Sequence, residues 1–200
     1  MNLQKDFKVM EDLKDYGGPF KSDLKFQDFS KDALVGLIRA AGRIYGGIDQ
    51  RWYQVIVGRL GQEVASDLQK EVWYGEGGCC DLEIRSLTTD MNFSGNDVAS
   101  YMKIMQLLPA MATLMDIEFD LKDNNHCIMT VKRCRPLEHY ERTGETALQK
   151  QLCEVLEKIG YEEGAKRFNP RMEVTAIKIP PRKSQDDIAC QWEFKLNAAV

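Results

Sequence analysis

The chain has 200 residues with 27 Lys and Arg against 31 Asp and Glu, a net of −4 with no block of one sign. That length can bury a core without disulfides, and the charge leaves no concentrated basic face for nucleic acid. The longest apolar run, 104–115, is broken by Pro109 and is too short to cross a bilayer, so no membrane partner is expected.

Residues 1–16 set Leu3, Phe7, Met10 and Leu13 among charges, the spacing of an amphipathic helix rather than the apolar run of a signal peptide. Gly17-Gly18-Pro19 would end it. A cytoplasmic location follows as the expectation, and with it six cysteines kept as thiols. Ser30 is placed to cap a second helix carrying Leu34, Leu37, Ile38, Ala41 and Tyr45, which Gly46-Gly47 should stop. A third, capped by Asp49, repeats Trp52, Ile56, Leu60, Val64, Leu68 and Val72 at every fourth position, the pattern of one buried face.

The glycines of 75–78 break that helix, and Leu82 and Ile84 fit either a strand or another helix. Asn96 or Asp97 caps a fourth helix through Leu108, which Pro109 would kink or divide. After Asp116 the apolar period falls from about four to two. Ile117, Phe119 and Leu121, then Cys127, Met129 and Val131, predict a hairpin turning at Asn124-Asn125. Pro136 opens a short helix. Thr146 and Gln149 at capping-box spacing start a longer one with Leu148, Leu152, Val155, Leu156 and Ile159 as its buried stripe.

Strands over 172–179 and 188–196 complete the chain. The expected fold is α+β: one domain over 1–200, with a mainly helical part (1–115) and a hairpin-helix-two-strand core (116–200). Its four-stranded antiparallel sheet would carry helices on one face.

Cys134 closes the second strand, Cys153 lies on the long helix and Cys190 opens the last strand. On a regular helix Cys153 falls roughly 120° from the centre of the apolar stripe, so it is not an expected core position. Should the three sulfurs converge, they would form a soft site suited to zinc, with a fourth position for water or ligand; the bland alternative is three buried thiols without metal. His126 and Cys127 point to opposite sheet faces and cannot readily serve one ion. Cys134 with Glu138 or His139 is the only local nucleophile-and-base cluster. Arg182, held after two prolines, is the candidate anion contact.

The residues "TVKRC", "CRPLEHYERTG", "RFNPRMEV" and "IPPRKSQDDIACQWEF" resemble an uncharacterised prokaryotic family related to the L-2-amino-thiazoline-4-carboxylic acid hydrolases. More remotely they resemble the vinyl-reductase-type ligand-binding domain. The close resemblance spans residues 52–194. It implies an antiparallel sheet backed by helices around a pocket for a small, often apolar molecule, and in some sensor members a zinc ion held by cysteines and a glutamate. Cys134 and Cys190 match two of those cysteines. The positions of the remaining ligands fall on "IPPR", which offers neither thiol nor carboxylate, and Cys153 would have to replace them.

Three functions compete. The first is a small-molecule-binding protein whose apolar pocket has Cys134, Cys153, Arg182 and Cys190 at its polar end. The second is a hydrolase of cyclic C–N bonds working through Cys134 with Glu138 or His139. The third is a homodimeric scaffold that pairs through the helix around Trp52.

Overall fold

The computed structural model describes residues 12–197. The first predicted helix lies mostly outside them. Its described end is not helical, because Leu13 bridges Phe29 and its carbonyl accepts from the Ser30 N–H at 2.9 Å. Ser30 then caps α1 (Lys31–Leu60), its hydroxyl accepting from Ala33 N–H. Gly46 and Gly47 do not stop this helix. It runs to Gly61, whose φ of 88° is where the chain turns into α2 (Gln62–Tyr74).

That break corrects the every-fourth-residue reading, which crossed two helices. Trp52, Leu60, Val64 and Val72 are exposed. The seam between α1 and α2 is polar instead: Asp49, not a cap, accepts from Gln69 Nε2 and Trp73 Nε1 at 2.9 Å each, and Tyr53 meets Ser66 at 3.2 Å.

Residues 75–90 resolve as a turn and α3 (Cys79–Asp90). Asp97 caps α4 (Val98–Leu107), and Pro109 begins α5 (Pro109–Leu114). Strands β1 (Met115–Asp123) and β2 (His126–Cys134) form the predicted hairpin. Next come α6 (Arg135–Thr143), ended by Gly144 in the left-handed conformation, and α7 (Thr146–Lys150). Thr146 makes no capping box; Glu145 is the N-cap and gives no side-chain bond.

A π-helical segment (Gln151–Leu156) joins α7 to α8 (Glu157–Phe168) without a break in the helical path. Strands β3 (Met172–Lys178) and β4 (Cys190–Leu196) follow. Among the described residues, no helix is long and apolar enough to cross a membrane.

The sheet is antiparallel in the order β1-β2-β4-β3, so the last strand enters beside the hairpin and leaves β3 at the edge. Alternation puts Cys127, Met129 and Val131 of β2, with Trp192 and Phe194 of β4, on the face that meets the helices. The opposite face carries Glu118, Thr130, Gln191 and Glu193. Val98, Tyr101, Ile104 and Met105 of α4 and Tyr161 and Ala165 of α8 complete the core. The fold is α+β with a helical front half, as the periodicity implies.

Candidate functional site

Register brings two of the cysteines together. Val131 pairs with Cys190 across β2 and β4, and Cys134 lies three residues further along β2, at the strand end. The third arrives by a helical irregularity. A π turn, with its i→i+5 bonds, holds about one residue more than an α turn and rotates the helix before it by roughly 100° against the helix after it. Cys153 sits in that turn and is buried, although a uniform helix would have put it on the flank. All three thiols line one cavity, together with Glu157, Tyr161 and Trp192; Leu137, Leu152 and Pro180 supply apolar wall.

The free volume is about 20 Å³, and a single water needs roughly 10–15 Å³. The cavity as it stands therefore admits a guest of water size or the end group of something larger. Its polar edge is distinctive. Burial pushes the Glu157 carboxyl up to about 7, opposed in part by a hydrogen bond with Tyr161. The Tyr161 and Trp192 rings meet at a tilt, with centroids 4.8 Å apart. The Trp192 indole is 1% exposed, and its Nε1–H has no oxygen or nitrogen acceptor, only the weak acceptor that the neighbouring Cys190 thiol offers.

Burial also raises the thiols, to about 12 for Cys134 and Cys190, and raises Cys153 as well. As free thiols they hold their protons near neutral pH; a bound metal would itself displace those protons, so placement decides whether they suit one. Among the described residues, no group of three or more His, Cys, Asp or Glu side chains is placed to hold a metal ion. The Cys134, Cys153 and Cys190 set does not fit zinc in this arrangement.

The remaining candidates are engaged elsewhere. Arg133 binds the Glu138 carboxylate through two nitrogens, at 2.9 and 3.2 Å, and holds it below the usual carboxylate range. His139 is exposed, with Arg142 at 3.2 Å from Nδ1 and Glu145 at 3.7 Å from Nε2. Arg182 does not line the cavity. Its buried guanidinium donates to Glu141 at 2.9 and 2.6 Å and to the Gln185 carbonyl at 3.0 Å, which leaves little to offer an anion. His126 pairs with Glu193 on the outer sheet face while Cys127 is buried inside, as strand alternation requires.

Glu157 is the residue that sequence reasoning missed. Part of the signal was present: Glu157 and Tyr161 are spaced four apart within α8, and positions four apart share a helix face.

The family described as "Family of unknown function (DUF6125)" matches residues 27–196, which covers all the strands, the π segment and every cavity-lining residue. The chain belongs to this family. Neither the curated proteins nor the solved structures yield a match. The family match takes in the whole structural unit that builds the cavity, from the end of the N-terminal bridge to the last strand.

Proposed function

We propose that this member of the family binds a small molecule whose acceptor end enters the thiol-lined cavity and takes the Trp192 N–H. The supporting observation is that buried donor, which has at most a thiol beside it. An unsatisfied buried N–H costs about 1–3 kcal/mol, a cost that a bound acceptor would relieve. The apolar body of the ligand would lie against Leu137, Leu152 and Pro180, and the Glu157 carboxyl, when protonated, can donate beside Trp192. A cavity of about 20 Å³ means that a metabolite-sized guest must part the lining, of which the π segment supplies Leu152 and Cys153.

Thermal-shift and calorimetric titration of the full chain with small cyclic carboxylates, 2-amino-thiazoline-4-carboxylate among them, tests the reading. Trp192→Phe keeps the ring and deletes the donor. A loss of about ten-fold in affinity is expected; unchanged affinity, or no binding at millimolar concentration, would overturn it.

A hydrolase acting on cyclic C–N bonds is the second reading, favoured by Glu157: a carboxyl whose pKa is about 7 is suited to general-base work near neutral pH. In this reading Glu157 takes the place of Glu138 and His139 and activates a water, because thiols near 12 are poor nucleophiles. Glu157→Gln should abolish ring opening while leaving binding within a few fold. Absence of turnover by the wild-type protein on thiazolines and hydantoins would remove it.

A further inference from the structure

A second concavity, of about 340 Å³, lies between α3 and α8, lined by Asp81, Ile84, Arg85, Thr88, Thr89, Arg167 and Phe168. That is within the range of small-ligand sites. Its charges are unequally occupied. Arg167 Nη1 donates to both Asp81 oxygens, at 2.8 and 2.7 Å, and Nη2 donates to the Tyr74 carbonyl. The Gly77 N–H adds a bond to Asp81 at 3.0 Å. The Asp81 carboxylate is thus neutralised by fixed partners.

Arg85, four residues further along α3, is exposed and makes no ion pair among the described residues. Two more donors in the same wall are unspent: Arg167 Nε and the Thr88 hydroxyl are buried without a hydrogen-bond partner. One carboxylate against two guanidiniums leaves the groove with a net positive charge, and Ile84 and Phe168 give it an apolar side.

We propose that this groove binds the oxyanion head of a small aromatic or aliphatic acid, with Arg85 as the fork and the Thr88 hydroxyl, turned outward from its buried position, as the second donor. A guanidinium matches the paired oxygens of a carboxylate or phosphate monoester, and charge-assisted bonds of this kind are the strong ones. Phe168 and Ile84 cover the stem of the ligand. The site is separate from the thiol cavity and shares no residue with it.

Isothermal titration of the full chain with benzoate, phenyl phosphate, inorganic phosphate and neutral benzamide tests this. At least one aromatic anion should bind at least about ten-fold more tightly than benzamide and than inorganic phosphate; the tighter of benzoate and phenyl phosphate names the oxyanion. Arg85→Gln should weaken that binding about ten-fold and Thr88→Val several-fold, with the melting curve of Arg85→Gln superimposing on wild type. Trp192→Phe should leave it untouched. Equal binding of benzamide, an unchanged Arg85→Gln affinity, or no heat at millimolar ligand would each overturn the proposal.

Discussion

At the scale of single residues, Glu157 shows how position decides chemistry. The same helix carries Glu154, Glu162 and Glu163, each near a lysine at 3.8–3.9 Å, while Glu157 faces the cavity. Burial disfavours its charged form, and the carboxyl titrates near 7 instead of its ordinary 4.5. Glu157→Gln keeps the shape and removes the ionisation. The variant should melt with wild type at pH 5 and increasingly above it as pH rises to 8, a gain of order 2–3 kcal/mol; parallel melting curves across that range would rule this out. The thiols carry a related expectation: Cys134 and Cys153, both buried, should resist a thiol-labelling disulfide reagent in the native state and react on unfolding. Cys190 was legible because strand alternation fixes which side a residue faces; Cys134 faces inward only through the register shift opposite Asp116 and Ile117, which adds a residue to β2 and which alternation does not reveal. Glu157 was hidden because composition does not set it apart from the surface acids Glu154, Glu162 and Glu163 of the same helix, and the partners of Arg182 and Glu138 lie far enough along the chain, or around a turn, that spacing does not announce them.

At the scale of elements, most boundaries follow from local chemistry: Ser30 and Asp97 cap, Pro109 opens a helix, and Asn124-Asn125 turns the hairpin. The departures are glycine and register effects. Gly46 stays helical where α5 packs against α1, with Leu114 3.0 Å from where a Cβ would stand, so tertiary contact overrides weak propensity and the helix continues through Gly47. Gly42 is the closest point of that packing: a Cβ would stand 2.5 Å from the Pro109 carbonyl oxygen and 2.5 Å from Thr113 Oγ1. Gly42→Ala should therefore destabilise the protein by about 1–3 kcal/mol. Gly47→Ala meets nothing within 4 Å and should stabilise it by up to about 1 kcal/mol. Chemical denaturation of the pair checks the opposite signs, and a Gly42→Ala variant as stable as wild type would disprove the tight contact. The π segment is the harder case. A hydrophobic stripe at 100° per residue presupposes a uniform helix, so a one-residue excess inside it carries Cys153 inward without leaving a mark in the periodicity.

At the scale of the whole molecule, the titrating groups fall into two sets that pull stability in opposite directions with pH. Asp81, Asp97, Glu138, Asp187 and Glu193 have carboxyls lowered chiefly by hydrogen bonds to Arg167, Ser100, Arg133, Lys178 and Lys195. Their contribution is present above the ordinary carboxylate range and is lost as acid protonates them. Glu83 and Glu157 are raised to about 7, mainly by burial. For these the folded state holds its proton while the unfolded chain has released it, so stability falls as pH climbs from about 4.5 to about 7 and levels off beyond. The buried thiols extend the decline above their ordinary value of 9.0, because the unfolded chain ionises there and the folded one does not. The expected profile is a maximum near pH 5, a steep acid limb and a gradual fall toward neutrality. Urea melts from pH 3 to 9 measure it. Replacing both Glu83 and Glu157 with Gln should flatten the limb between pH 5 and 7.5 while leaving the acid limb in place. A wild-type midpoint that stays level or rises between pH 5 and 7.5 would show that these two carboxyls are hydrated in solution, and with that the enclosed, low-dielectric character of the thiol cavity would fall as well.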